Sequence, residues 1–300
     1  MTGIAVKFLQ DAKGFIGGRL FPRFNTGLQS AAYYVFDEAN MLNWPTNIQR
    51  APSAPYSRSL MKLSDDSYNC REFGHEEPVD DGERAKYSIA LDADAAAARR
   101  AANVILCNAE LRVKTKATSA AVPTTTPGTK WDQANSDPIG DVDAAKEAIV
   151  KATGMQANVM TINYDVYKVL KEHVKITDKI KYTQRGIVTL DVMAAVFQLD
   201  EILLAYTVQN TANEGQAATP NFIWGDGVVI AHRESGQDLM APNFGRSFAW
   251  TQFTGQDGML VDTYREDRVK SDVHRAAQWV DEKIVGAKCG YYLSDTLASV

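Results

Sequence analysis

Between residues 91 and 117 apolar side chains recur at three- and four-residue steps, at Ala95, Ala98, Ala102, Ile105, Ala109 and Val113. That is the stripe of an amphipathic helix, and Arg99, Arg100, Asn103, Asn108 and Arg112 mark its wetter side. Asp92 and Asp94 stand where a cap and a first-turn acid favour the helix dipole, and Arg112, Lys114 and Lys116 crowd the far end. Neither proline nor glycine interrupts the run. The pattern predicts one helix of roughly 40 Å at about 1.5 Å per residue. Its many alanines predict close packing along a flat body, and the helix is called the spine below.

Around the spine the pattern changes several times. Residues 1–30 mix short apolar clusters (Ile4, Val6, Phe8, Leu9, then Phe15 and Ile16) with Gly14, Gly17, Gly18, Pro22 and Gly27. Such a segment reads as an extended arm, with one short helix near Val6 to Ala12, that must lie on another surface. Ala31 to Phe36 and Tyr68 to Phe73 are strand-like, and they flank a stretch from Asn43 to Ser59 that holds three prolines and little periodicity. The arrangement predicts a long two-stranded excursion with a loose tip, which is marginal in water unless something covers it. Glu76, Glu77, Asp80, Asp81 and Glu83 predict an acidic turn before the spine. After it, the Ser/Thr/Pro/Ala stretch from Thr118 to Thr129 reads as a link.

From Trp131 helical and strand patterns alternate, predicting a compact mixed α/β unit. Ser136 or Asp137, Pro138 and Gly154 bracket a capped helix; Asn158 to Ile162 is a buried strand; Tyr164 to His173 and Thr189 to Phe197 are helices; Glu201 to Val208 is a strand. Asn210 to Pro220 is a polar loop, followed by a strand-like run from Phe222 to His232. The tail returns to β character at Ser247 to Thr254, Met259 to Arg268, Val273 to Trp279 and Ala287 to Leu293, with a helical or irregular stretch near Val280 to Val285.

Composition narrows the function classes. A 300-residue chain with 45% hydrophobic and 23% charged residues has ample core material, and its net charge of −5 does not suggest a nucleic-acid reader. No apolar run approaches the ~20 residues that span a bilayer, and the N-terminus lacks a signal-peptide pattern, so the chain reads as soluble and intracellular. Cys70, Cys107 and Cys289 are odd in number and widely spaced, as idle thiols in a reducing compartment would be. His75, His173, His232 and His274 fit no metal spacing, although His232 with Glu234 is a weak metal hint. No nucleophile elbow or phosphate-binding loop occurs. Lys175, Lys179, Lys181 and Arg185 are interleaved with acids and read as a solvated face. No catalytic group, metal site or cofactor is expected.

An ordered series of segments then resembles a known family. FIGGRLFPRF in the arm, a hairpin opening AAYYVFD and closing YNCREFGHEEPV, NAELRV in the spine, the run from Trp131 to Pro138 and AKEAIVKATG come first. HVKITDKIKYTQRG, VQNTANEG, FIWGDGVVIAH, APNFGRSFAW and CGYYLSDTL follow. Together they are similar to tailed-bacteriophage major capsid proteins of the Hong Kong-97 shell type. The resemblance implies an α+β fold with an N-terminal arm (1–31), an E-loop hairpin (32–78), a peripheral domain with the spine (79–130), an axial domain (131–235) and returning peripheral strands (236–300). It implies hexamers and pentamers that close into an icosahedral virion shell around double-stranded DNA without sequence readout, assembled in the host cytoplasm. A portal is an implied partner, with room for a decoration protein and no membrane. Because the chain begins close to the arm, a separate scaffolding protein is expected. Phe15, Ile16, Tyr33, Phe36, Leu42 and Trp44 are the expected inter-subunit contacts, lacking cover in their own chain, and Asn210, Asn213 and Glu214 are expected at the capsomer centre. Lys62 lies in the E-loop, but nothing local marks it as activated for cross-linking. Two alternatives stay open: an encapsulin-type nanocompartment shell, and a monomeric α/β enzyme using residues such as His173, Asp191 and His232.

Overall fold

The computed structural model describes residues 14–35, 42, 44–46, 48–58, 64–87, 92–181, 188–213, 215–254 and 258–298. In chain order the elements are α1 (Gly17–Leu20), β1 (Arg23–Thr26), β2 (Ser30–Val35), β3 (Ser64–Asn69), β4 (Arg71–Asp80), α2 (Asp81–Tyr87) and the spine α3 (Ala93–Ala117). Then come β5 (Thr124–Thr125), α4 (Pro138–Thr153), β6 (Val159–Asn163), α5 (Tyr164–Glu172), α6 (Val174–Ile180), α7 (Leu190–Phe197) and β7 (Glu201–Ala205). The last are β8 (Val208–Asn210), β9 (Pro220–Phe222), β10 (Val228–Ala231), β11 (Gly245–Trp250), α8 (Thr251–Thr254), β12 (Leu260–Glu266), β13 (Ser271–Ile284) and, after a 3-10 turn (Ala287–Cys289), β14 (Gly290–Leu293).

The spine forms as its sequence predicts. The Asp92 carboxylate accepts from the Ala95 amide at 3.1 Å, and Ala98, Ala101, Ala102 and Ile105 are buried against Met259, Val261 and Ala276. Small side chains let the helix approach a five-stranded sheet closely. That sheet is built on β13, which pairs with β4 along one edge from Ser271 to Val280. Its other edge is shared by β12 (Ser271 to Ala277) and β11 (Val280 to Ile284), with β1 parallel to β11 beyond.

A second sheet has the order β5-β14-β10-β6-β7. One face, through Met160, Ile162, Val228 and Ile230, packs on α4, α5, α6 and α7. The opposite face, through Val159, Leu203, Ala205, Val229 and Ala231, packs on the arm and the far end of the spine. Burial on both faces explains why β6 and β10 are apolar throughout instead of alternating. Asp137 caps α4, and Gly154 closes it with a left-handed φ of 72°.

Several expectations are corrected. Val280 to Val285 is no helix or irregular stretch; β13 runs on to Ile284, because Glu282 faces Arg112 of the spine while Asp281 accepts the Asn69 amide at 2.9 Å. The acids from Glu76 onward do not make a turn at once. β4 continues to Asp80, and Glu77 turns in to meet Arg100 of the spine at 3.1 Å. The strand expected over Ser247 to Thr254 stops at Trp250, and Thr251–Thr254 is helical. The runs 201–208 and 222–232 each break in two around the β8–β9 hairpin. The link 118–129 contains β5, and β14 joins the second sheet, so the last strand lies with residues 159–231 instead of with the other returning strands. The arm helix expected near Val6 to Ala12 lies outside the described residues.

Because the spine–sheet contact depends on small side chains, Ala102→Leu should overpack it. A loss of about 1–3 kcal/mol in urea-unfolding free energy is expected.

Candidate assembly surfaces

The arm is plugged into its own chain. Glu110, 2% exposed, accepts from the amides of Ile16 at 3.0 Å and Gly17 at 2.7 Å and from Trp224 Nε1 at 2.5 Å. A Cβ at Gly17 would come within 2.8 Å of the Glu110 carboxylate, so glycine is required for this approach. Ile16, Leu20 and Phe21 then fill the core between the second sheet and the spine, and Phe21 meets Phe244 edge-on at 5.4 Å. Burial pushes the Glu110 pKa up, against the pull of its three donors.

The β2–β3 hairpin is clamped at its root. Tyr68 stacks on Phe248 of β11 at 4.4 Å between ring centroids, Tyr33 packs on the same ring at 5.0 Å, and Tyr33 donates to Asp66 at 3.0 Å. Burial and then Asp66 push the Tyr33 phenol well up. Tyr33 and Tyr68 are the buried positions of β2 and β3; the other described residues of these strands are at least partly exposed. Beyond the root the cover ends. Trp44 (74% exposed), Ile48 (73%) and Tyr56 (72%) stand in solvent, with Arg50 over the Tyr56 ring at 4.7 Å.

The expected contact residues therefore divide. Trp44 and, at 38% exposure, Leu42 are open, whereas Ile16 and Tyr33 are buried in their own chain and are not free for a neighbour. Phe15 is half-buried, and Phe36 lies outside the described residues. The correction has a simple cause: Ile16 and Tyr33 sit at the two points where the arm and the hairpin attach. Ile48 and Tyr56 were missed because the proline-rich tip has no periodicity, although an aromatic and a β-branched residue among prolines were the available signal. Asn210 accepts from the amides of Ala212 and Thr219 and so closes the 211–219 loop, and Asn213 is exposed on it; Glu214 is outside the described residues.

At the opposite end of the sheet an ionic network pins the start of the spine. Arg84 meets Asp94 at 2.8 Å and Asp272 at 2.5 Å, Arg265 joins Asp81 to Asp272, and buried His274 reaches Asp94 at 3.0 Å. Hydrogen bonds from Arg84 and Arg265 hold Asp272 and Asp81 below the usual carboxylate range. Burial opposes the effect at Asp94, but His274 and Arg84 still bring it down.

The groups of the enzyme alternative do not converge. His173 bonds Ser136 at 2.9 Å, His232 bonds the Gln156 carbonyl at 2.8 Å, and Asp191 opens α7. Among the described residues no cluster of three His, Cys, Asp or Glu could hold a metal ion, and no helix is long and apolar enough to cross a membrane. Burial pushes Cys70 up to about 11 and Cys289 up to about 12, so neither is a reactive thiolate.

A spine on a long-stranded sheet, a second sheet under helices, an arm and a projecting hairpin define the α+β shell fold of Hong Kong-97-type phage capsids. A phage-related protein from Bordetella bronchiseptica RB50 superposes with a TM-score of 0.73 at 21% identity, covering 99% of this chain and 97% of that one. A virus-like particle chain from Pyrococcus furiosus (TM-score 0.60, 11% identity, coverage 98% and 97%) and the capsid of Myoviridae phage XM1 (0.54, 9%, 96% and 91%) share the fold. In sequence, residues 116–241 match the family model of phage major capsid protein E. The major capsid protein of Burkholderia phage BcepMu is 32% identical over 167 residues, which span 55% of this chain and about half, 52%, of that relative.

Two outcomes test these surfaces. Glu110→Gln sets an amide N–H against a backbone donor and should lower stability by about 1–3 kcal/mol in thermal or urea unfolding. Asp81, Asp94 and Asp272 have folded pKa values below their unfolded ones, so their stabilisation is present above about pH 4 and lost as pH falls through the depressed values. The urea midpoint should therefore drop on acidification, and by less in Asp94→Asn, where one of these carboxylates no longer titrates.

Proposed function

We propose that this chain is the major capsid protein of a tailed bacteriophage, a shell subunit and not an enzyme. It would form hexamers and pentamers that close into an icosahedral head around double-stranded DNA. The observation that carries the reading is the projecting hairpin: Trp44, Ile48 and Tyr56 are exposed on a chain with a phage shell fold. A two-stranded excursion with an apolar tip gains stability when the tip lies on a second copy. Repeating that heterologous contact around an axis closes a ring. Contacts of about −4 kcal/mol, near-millimolar alone, then hold a closed particle through their number.

The finer parts follow from the same reading. The loop 211–219 would line the capsomer axis, with Asn210 and Asn213 near it. The acidic chain, net charge −5, suits DNA packed without adhesion to the wall. A separate scaffolding protein, a portal and assembly in the host cytoplasm complete the proposal, with any decoration protein added outside. The encapsulin-type shell is disfavoured because the sequence matches run to phage major capsid proteins.

Negative-stain microscopy with sedimentation on the protein expressed alone and with its neighbouring genes is the direct test. Closed particles or capsomer rings are expected. A monomer under both conditions overturns the proposal. Trp44→Ala with Tyr56→Ala should suppress assembly at least tenfold while leaving monomer unfolding unchanged, because both rings stand in solvent in the single chain.

A further inference from the structure

A groove of about 550 Å³ lies at the far end of the spine, between the spine, β13 and the junction of β3 with β4. Phe73, Leu111 and Val280 give it an apolar floor, and Leu111 is 38% exposed there. A preformed groove of this size, apolar at the base with a few charged groups around it, has the form of a binding site. Charge decides what fits. Four cations and two carboxylates line the walls, and both carboxylates are already matched. Glu282 holds Arg112 bidentately at 2.9 and 3.0 Å, and the same guanidinium lies 3.8 Å over the Phe73 ring. Asp281 accepts the Asn69 amide at 2.9 Å and stands 3.9 Å from Lys283, which is equally near Asp66 of β3.

Arg71 on the β4 wall and Lys116 on the spine wall remain. Both are exposed, and neither lies within ion-pair distance of a carboxylate among the described residues. The uncommitted charge is positive and stands over an apolar floor. A nucleic-acid phosphate would use the cations and leave the floor bare. The hairpin tip of a second copy would use the floor, but Arg50 and Arg58 accompany Trp44, Ile48 and Tyr56 on that exposed stretch and would bring like charge to the rim. Apolar side chains flanked by carboxylates use both features.

We infer that this groove binds an acidic peptide segment of another protein, seating an apolar side chain on Phe73, Leu111 and Val280 with flanking carboxylates at Arg71 and Lys116. The Arg112–Glu282 pair, stacked on Phe73, keeps the floor rigid and uncharged as a unit. The site is complete in a single chain and does not depend on shell assembly.

Fluorescence anisotropy of labelled hexapeptide probes on the full-length protein, below the concentration at which it assembles, is the test. A probe in which glutamates flank a leucine and a phenylalanine should bind about tenfold more tightly than one with serines in place of the apolar pair. A probe with lysines in place of the glutamates should be weaker still. Arg71→Glu with Lys116→Glu should weaken binding of the first probe by about tenfold and leave the urea midpoint unchanged, because both side chains are exposed. Leu111→Asp should have a similar effect on binding, whereas Arg99→Glu, on an exposed part of the spine outside the groove, should have none. Absence of binding, equal binding of the three probes, or unchanged affinity in both groove variants would overturn the inference. So would displacement of the probe by a DNA oligonucleotide, which would give the groove to phosphate, or its release as the chain assembles, which would give the groove to a second copy.

Discussion

The structure depends on one buried carboxylate. Glu110 sits on the inner side of the spine, where burying a charge is costly unless donors surround it, and it is met by two arm amides and the Trp224 indole. The three donors come from two separate parts of the molecule: the arm entering from the N-terminus and the loop before β10. The spine residue therefore fixes the position of both relative to the first sheet. Together with the pairing of β1 on β11, it sets how Ile16, Leu20 and Phe21 enter the core that joins the two sheets.

Around that anchor the two sheets divide the work. The first is tied to the spine by alanine packing in the middle and by polar clamps at its ends, with Arg112 bidentate to Glu282 at one end and the Arg84–Asp94–His274 network at the other. The second is buried on both faces, with β5 and β7 its terminal strands among the described residues. One interior thus holds both sheets, while the hairpin tip and the 211–219 loop remain outside it. These are the parts to which the proposed shell function assigns contacts with other copies.

How legible this was in the sequence follows from the range of the forces involved. The spine, α4 and α7 were readable because their caps and stripes are local: Asp92, Asp137 and Thr189 each accept from an amide three residues on. The length of β13 was not, because Asp281, Glu282 and Lys283 look like a break until Arg112 and Asn69, far away in sequence, supply their partners. The resemblance supplied the α+β shell fold, which local periodicity alone could not have arranged. For the candidate contacts, exposure was the deciding quantity. Trp44 and Leu42 are open to solvent in the single chain, whereas Ile16 and Tyr33, of the same apolar character, are buried as roots. A residue's type shows that it wants cover, not which body supplies it.

The continuity of the hairpin with β4 has a mechanical meaning. Only Cys70 separates β3 from β4, and β4 is laddered antiparallel to β13 over ten residues, from Arg71 to Asp80. A tug on the hairpin tip is passed straight down β4, along the strand and across its hydrogen bonds. The ladder is then loaded in shear, with many bonds sharing the force, instead of being peeled apart one bond at a time. Stacking of Tyr68 on Phe248 carries part of the load sideways into β11. If a second copy holds the hairpin, as proposed above, the chain acts as a tension member, stiffest in the direction of that pull.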